Sequence, residues 1–328
     1  MRSAFAALCM VAAPGLAACA PAPSEKPGVA ASVVGDDPKS GDTSPPLYGF
    51  WGLNGFVSPS GLKEAHRRVG LTTFQTATSD PHWAVTGLFP MAKAAGLHVS
   101  LRMTDDHPAY TTPAGDFNID AWKAQIAVWP GSGVQAFIDD GTFVGHMLID
   151  DITEFEGTGP TAAELDEMAR YSKELMPGLM TFVRQKASEM PVPDGGRYVY
   201  VDAQVNQYEA MEGSVEYYAA HEAERAAALN LGVINGLNIA DGGDGSSGRP
   251  GYRTAHYPMT ATEITTYGGV LAAVPSCGMF LNWEYDDEEQ WSDGTIGAEY
   301  FKQADLQAAL LALSTVVAKH PHVTLLKP

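Results

Sequence analysis

Two adjacent aspartates, Asp150 and Asp151, end an apolar run that begins at Phe143 and has the composition of a buried β-strand. An uncompensated carboxylate at such a place costs free energy, because a strand covered on both faces leaves little room for solvent. Repulsion within a carboxylate pair raises the pKa of one member, which suits a general acid. One of the two aspartates could instead be the ion-pair partner of Arg102 or Arg184.

Polar and aromatic side chains also end the other β-type runs of the chain. Sugar hydroxyls hydrogen-bond to amides and carboxylates, sugar faces stack on aromatic rings, and glycosidic cleavage uses two carboxyl groups. The aromatic candidates could instead be residues of the hydrophobic core, and for Trp51 this alternative has the same weight as a role in binding. The residues that we expect to bind a substrate are Trp51, Asn54, Arg102, Glu154, Asp202, Gln204, Asn238, Tyr252 and Trp283.

Two acidic segments leave several interpretations open. The Gly-rich segment Asp241–Gly248 could contact a ligand, form a plain turn or hold a metal ion, although it lacks the full ligand spacing of a calcium loop. Asp105, Asp106 and His107 combine carboxylates with an imidazole, but their spacing is not that of a strong metal site. A solvated loop is the simpler interpretation of this second segment.

These residues must be positioned by elements in which short β-type runs alternate with amphipathic helical stretches. Such alternation is typical of a parallel sheet. The predicted strands are Leu47–Gly52, Thr72–Thr76, His98–Thr104, Phe143–Asp150, Leu179–Arg184, Tyr198–Ala203, Gly236–Ala240 and Gly278–Tyr285. The predicted helices are Ser60–Val69, Trp83–Ala95, Ile119–Val128, Thr161–Met176, Ser214–Leu229, Thr260–Ala273 and Ala298–Lys319.

Eight strand-helix units in about 280 residues predict an α/β fold, a single-domain (β/α)₈ TIM barrel over residues 47–328. The active site of such a barrel lies at the C-terminal ends of its strands. Capping boxes are expected at Thr161 with Glu164 and at Thr260 with Glu263. The turn Trp51–Phe56 lacks the glycine spacing of a dinucleotide site. We expect no cofactor and no bound metal.

The segments His146–Asp151 and Phe280–Tyr285, together with the eight-unit layout, resemble barrel glycoside hydrolases over roughly Leu47 to His320. The resemblance implies Asp150 or Asp151 in the acid/base position. It also implies Asp241 or Glu284 as the partner carboxylate. The chain departs from the family pattern, because Asp150-Asp151 stands where Asn-Glu is usual after the fourth strand. The glutamate usual after the seventh strand is also missing.

The N-terminus resembles a lipoprotein signal peptide of residues 1–18. Arg2 supplies a positive start, Ala4–Ala13 is apolar, and Leu16–Cys19 matches a lipobox in which Cys19 receives the lipid. An ordinary secretory signal that leaves Cys19 free is the alternative. Residues 19–46 are rich in Pro, Gly and Ser and are expected to form a flexible tether.

Charge and cysteine content restrict the partners and the stabilising bonds. The formal net charge of -19 argues against nucleic acid as a partner, because phosphate binding needs clustered Lys and Arg. Cys277 is the single thiol expected after processing and lipidation, so no intramolecular disulfide can form. The oligomeric state is open.

The interpretation that joins these features is an exported, lipid-anchored glycoside hydrolase on the periplasmic face or cell surface. Its substrate would be an oligo- or polysaccharide, and the membrane would be contacted through the lipid alone. One alternative is a surface glycan-binding lipoprotein without turnover. Another is a metal-dependent hydrolase that uses Asp105, His107 and the Asp241 loop.

The lipoprotein interpretation predicts that Cys19→Ser abolishes acylation, because the thioether to the lipid cannot form. We expect the variant to remain a soluble precursor or secreted form. Detergent partitioning and mass spectrometry of the expressed protein measure this. A Cys19→Ser protein that still enters the detergent phase with acyl mass attached would contradict the interpretation.

Overall fold

The computed structural model describes residues 46–52, 58–275, 277–284, 301–320 and 326–327. The predicted signal peptide, the tether, Cys19 and Asn54 lie outside the described residues. None of the helices in this part of the chain is long and apolar enough to cross a lipid bilayer.

Eight parallel strands form a closed barrel in which each strand pairs with its chain neighbours and the first strand pairs with the eighth. The predicted (β/α)₈ barrel is therefore confirmed. The strands are β1 (Leu47–Trp51), β2 (Thr73–Ala77), β3 (His98–Arg102), β4 (Phe143–Asp150), β5 (Met180–Arg184), β6 (Ala203–Tyr208), β7 (Gly232–Leu237) and β8 (Met279–Asn282).

The helices surround this barrel, and their ends carry the expected caps. Both capping boxes form, at Thr161 with Glu164 and at Thr260 with Glu263. The described helices are α1 (Pro59–Val69), α2 (Pro81–Trp83), a π-helical turn (Ala84–Leu88), α3 (Phe89–Ala95), α4 (Ile119–Ile126), α5 (Gln135–Asp139), α6 (Ala162–Leu175), α7 (Val215–Ala228), α8 (Ala261–Ala272) and α9 (Ala304–Val317).

The inside of the barrel is filled by apolar side chains from alternate strand positions. Met147, Phe182, Val205, Ile234 and Leu281 pack together there, each almost without exposure to solvent. Burial of a side chain of this size contributes about 1.5–3 kcal/mol. Because the interior is packed, a substrate can approach the barrel at its ends and not through its centre.

The sixth strand lies later in the chain than the sequence predicted. The segment Tyr198–Ala203 alternates like a strand, but the three N–H groups at its centre donate to a side chain and not to a neighbouring strand. The carboxylate of Asp166 accepts from the N–H groups of Val199, Tyr200 and Val201 at 2.7–3.1 Å. The strand therefore begins at Ala203, and the prediction of Tyr198–Ala203 is wrong.

The connections on either side of that strand also differ from regular strand-helix units. Between β5 and β6 the described chain forms a single 3₁₀ turn, Ala187–Glu189, in agreement with the short space that the sequence left there. The seventh strand ends at Leu237 instead of Ala240. It ends there because the Asn238 carbonyl accepts from Gly242 N–H at 2.7 Å, which closes a turn.

His146 is a fully buried imidazole on the outer side of β4. Its ring stacks on Trp122, with 5.9 Å between the centroids, and its Nδ1 is hydrogen-bonded to Ser172 Oγ at 2.8 Å. Burial lowers the pKa of His146 to about 3, because the cationic ring would lose its hydration. The unfolded chain, with an ordinary histidine pKa near 6.5, therefore binds the proton more readily between these two values.

This pKa predicts an acid-sensitive contribution to stability that is complete above about pH 6.5 and is lost as the pH falls towards 3. We expect His146→Gln to be less stable at pH 7 but to lose less unfolding free energy between pH 7 and pH 4 than the wild type. Urea unfolding at a series of pH values measures this. His82→Gln, at an exposed position, is the control. An equal acid loss in His146→Gln and wild type would show that His146 is not responsible.

Candidate active site

A cleft with a volume of about 330 Å³ lies at the C-terminal ends of strands β4 to β8. Five residues predicted for the site line it, and so does Arg184. Other polar residues of the lining were not predicted from the sequence. The lining residues are Asp151, Glu154, Arg184, Gln185, Lys186, Glu189, Val205, Gln207, Glu209, Glu212, Asn238, Tyr252, Arg253 and Trp283.

Asp150 is held by two arginines at the end of β4. Its partner across the β4–β5 ladder is Arg184, whose Nε donates to the Asp150 carboxylate. Arg102 Nη1 lies 3.8 Å from the other carboxylate oxygen. Two guanidinium groups thus compensate a carboxylate that would otherwise be costly at a strand end. Of the two interpretations of Asp150, the geometry favours the ion-pair partner over the general acid.

Asp151 has a left-handed backbone, with φ of 44°, and turns the chain away from the strand. Its Oδ1 accepts from the Thr153 N–H at 3.1 Å and from the Thr153 hydroxyl at 2.6 Å. Short polar side chains tolerate this conformation because they hydrogen-bond to the following backbone. Asp151 Oδ2 lies 3.8 Å from Arg184 Nη2, on the wall of the cleft.

Glu154, three residues later in the same loop, lines the cleft while its side chain still meets solvent. Partial burial raises the pKa of Glu154, and the neighbouring charge of Asp151 raises it further, whereas Arg184 opposes the shift. A carboxyl group that keeps its proton to higher pH can act as a general acid. The sequence predicted Glu154 as a binding residue.

Glu209 is a cleft residue that the sequence prediction missed. It follows β6 directly, and its Oε1 accepts from Asn238 Nδ2 at 2.6 Å and from Arg253 Nη2 at 3.3 Å. The signal was present in the alternation Val205, Gln207, Glu209, which places Glu209 on the inner side of the strand line. Because the predicted sixth strand ended at Ala203, Glu209 was not expected at a strand end.

Asp241, predicted as catalytic, is enclosed and does not line the cleft. Its Oδ2 accepts from Arg253 Nε at 2.7 Å, its Oδ1 accepts from the Arg253 N–H at 2.9 Å, and its side chain has no exposed surface. A Cβ added to Gly251 would lie 2.4 Å from Asp241 Oδ1, so glycine is needed for this close approach. The Gly-rich segment is therefore a loop that the contacts of Asp241 with Arg253 hold in place.

Trp51 ends β1 and Glu284 lies two residues after the end of β8, but neither is among the described residues that line the cleft. Glu284 is 8% exposed and packs against Gly52. Trp51 is half-buried and packs on the interior core, as its alternative role predicted.

Asp202, Gln204 and Arg102 lie apart from the cleft. Asp202 precedes β6 and therefore lies at the N-terminal end of the barrel, where Lys173 Nζ is 2.9 Å from its carboxylate and Lys327 N–H donates at 2.7 Å. Gln204 is fully buried, next to the inward-pointing Val205 and on the opposite side of the strand. The predicted positions of Asp202 and Gln204 at the mouth are wrong, because both followed from the early sixth strand.

Two aromatic rings form one wall of the cleft. Tyr252 and Trp283 meet edge to face with 5.5 Å between their centroids. Arg253 lies over the Trp283 ring at 5.8 Å. Aromatic side chains fixed in this way give the cleft an apolar wall against which a sugar ring can pack.

The proposed metal ligands do not converge. His107 Nε2 donates to the Asp150 carbonyl at 2.7 Å, and its ring stacks on Phe155 at 4.6 Å. Asp105 accepts from the Ser79 hydroxyl, while Asp241 is enclosed by Arg253. Among the described residues there is no group of three side chains suited to hold a metal ion.

Comparisons with known proteins show the fold. No family model and no curated protein matches this chain. A cellulase solved with an inhibitor is 12% identical over 82% of this chain and 92% of its own, with a TM-score of 0.54. An endocellulase from Pyrococcus horikoshii is 11% identical over 82% and 92%, with a TM-score of 0.52. Endo-glycoceramidase II from Rhodococcus sp. is 14% identical over 81% and 78%, with a TM-score of 0.51.

The enclosed contact of Asp241 with Arg253 predicts a structural effect of Asp241→Asn. Asp241 is a buried carboxylate, and a hydrogen bond to a charged group contributes about 1.5–3 kcal/mol, part of which the amide loses. We expect the urea midpoint to fall accordingly. Asp194→Asn, in an exposed loop, is the matched control and should stay within about 0.5 kcal/mol of the wild type. Equal stability of Asp241→Asn and Asp194→Asn would contradict a structural role of Asp241.

Proposed function

We propose that the protein is an exported, lipid-anchored glycoside hydrolase that acts on an oligo- or polysaccharide, with Glu154 as its general acid. The observation that carries the proposal is the position of Glu154, a carboxyl with a raised pKa, in a cleft that also presents the Trp283 and Tyr252 rings. Hydrolysis of a glycosidic bond needs both features, since the leaving oxygen must be protonated and the sugar must be held.

The surroundings of Glu154 support the role of acid. Its carboxylate has no hydrogen-bond or ion-pair partner among the described residues, so its proton is available to a ligand in the cleft. Partial burial raises the pKa of Glu154, charge repulsion from Asp151 in the same loop raises it further, and Arg184 opposes the shift. This is the arrangement of two neighbouring carboxyls with separated roles that acid catalysis uses.

The polar lining supports a sugar as the ligand. Asn238 and Gln207 supply amides, and Glu212 adds a carboxylate to the lining. These groups can donate to and accept from neighbouring hydroxyls of a sugar ring while the Trp283 face packs on its carbons. The barrel is also shared with a cellulase and an endocellulase, which act in each case on the substrate that their names state.

A glycan-binding protein without turnover is the second candidate. The specific observation in its favour is that Asp150 and Asp241, two of the predicted catalytic carboxylates, are both occupied by arginines. Such a protein would use the same cleft and the same aromatic wall. Its ligand affinity would not be accompanied by product formation.

The proposal predicts that Glu154→Gln lowers turnover by about 10²-fold or more, because the amide cannot donate the proton, while affinity changes by a few-fold. In the wild type, kcat/KM should fall as the pH rises through a pKa above the usual range of a glutamate, and this alkaline limb should vanish in the variant. Hydrolysis of an oligosaccharide panel and calorimetric binding measure both quantities.

Glu156→Gln is the control, since Glu156 lies exposed in the same loop and outside the cleft. It should leave rate and affinity unchanged. Binding without products in the wild type would identify the protein as the glycan-binding candidate. Full turnover in Glu154→Gln would contradict the assignment of the acid.

A further inference from the structure

We infer that Glu209 is the second catalytic carboxylate, acting as the general base of an inverting hydrolysis opposite Glu154. The inference rests on the proposed function and adds the base and the stereochemical outcome to it. It places the base after the sixth strand.

The alternation of side chains along β6 brings Glu209 to the cleft. Ala203 and Val205 belong to the interior core, so alternate residues of β6 point inward and the line continues through Gln207 to Glu209. Val205, Gln207 and Glu209 all line the cleft, on the opposite side of Arg184 from the β4 loop. The carboxylate is thus carried by a barrel strand end and not by a long loop.

The hydrogen bonds of Glu209 orient one oxygen and leave the other for chemistry. Oε1 accepts from Asn238 Nδ2 and from Arg253 Nη2, at 2.6 and 3.3 Å. Arg253 is itself fixed by Asp241 and lies over Trp283. Oε2 has no hydrogen-bond partner in the part of the chain that the structure describes. The side chain keeps 20% of its surface exposed, so water can reach the carboxylate.

Three other glutamates near the cleft are less suited to the role. Glu189 and Glu212 share the ammonium group of Lys186, at 2.9 and 2.8 Å. Glu284 is nearly buried and lies outside the cleft lining. Glu209 therefore combines a place in the cleft, a fixed orientation and an open oxygen, which none of these three does.

The strand order favours inversion. Glu154 and Glu209 follow β4 and β6, which are not neighbours, because β5 lies between them. Carboxyl groups about 6.5–9.5 Å apart leave room for a water molecule and invert the anomeric centre, whereas about 5 Å is typical of retention.

The reaction follows from these positions. Glu209 Oε2 accepts a proton from a water molecule, whose oxygen forms a bond to the anomeric carbon. The bond from that carbon to the leaving oxygen breaks, and this oxygen takes the proton of Glu154. One water is consumed, Glu209 ends protonated and Glu154 ionised, and exchange of protons with solvent restores both groups.

Glu209→Gln in the otherwise intact protein tests the inference. The amide keeps the size of the side chain but cannot accept the proton, so we expect turnover to fall about 10²-fold or more with substrate affinity changed by a few-fold. Glu224→Gln, exposed on α7, is the control and should keep the wild-type rate. Thermal unfolding of both variants shows whether the fold is kept, and Glu209→Asp provides a second variant that retains a base.

The anomer formed by the wild type gives a readout that does not depend on any variant. Proton NMR during the first minutes of hydrolysis should show the anomer opposite to that of the substrate. A retained configuration, or wild-type turnover in Glu209→Gln, overturns the inference while the proposed hydrolase stands. Absence of hydrolysis of every tested glycan by the wild type removes the proposed function, and the inference with it.

Discussion

The ion pair between Asp150 and Arg184 is the interaction on which the mouth of the barrel depends. The β4–β5 ladder sets these residues opposite each other, so closure of the sheet brings the charges together. With the charge of Asp150 compensated by arginine, a second carboxylate, Asp151, can follow β4 directly, and it lines the cleft with a left-handed backbone. The same guanidinium faces Asp151 and moderates the pKa of Glu154. A single arginine thereby makes an acidic strand end tolerable and sets the electrostatics of the loop behind it.

Arg253 has the corresponding role on the other side of the cleft. It joins the enclosed Asp241, the half-buried Glu209 and the face of Trp283, so the loop after β7, the end of β6 and the aromatic wall share one fixed point. Each arginine is held by one enclosed carboxylate and lies beside a second one that reaches the cleft. Each arginine contacts its structural carboxylate, Asp150 or Asp241, more closely than the second one, which lies 3.8 Å away for Asp151 and 3.3 Å away for Glu209. Residue type alone does not reveal this difference.

Much of the fold was predictable, because the patterns that specify it are local. Alternating β-type and helical periodicities predicted the closed barrel, and both capping boxes formed where Thr and Glu stand three residues apart. The prediction of the sixth strand is wrong because of an interaction between residues far apart in the chain. Its predicted pattern is real, but the carboxylate of Asp166, more than thirty residues earlier in the chain, takes the N–H groups that a strand would give to its neighbour. That displacement carried Asp202 to the wrong end of the barrel in the prediction.

The sequence by itself determined the number and order of the strand-helix units and the concentration of acidic residues after β4, because periodicity and strand ends are properties of short segments. Only the tertiary structure decided which carboxylates face the cleft. Asp150 and Asp241 were two of the four predicted catalytic carboxylates, yet Arg184, 34 residues from Asp150, and Arg253, 12 residues from Asp241, form ion pairs with them. Glu209 entered the cleft through the register of β6. The reason is physical: burial and ion pairing depend on which groups the closed sheet places within a few ångströms of each other, and no local pattern contains those distances.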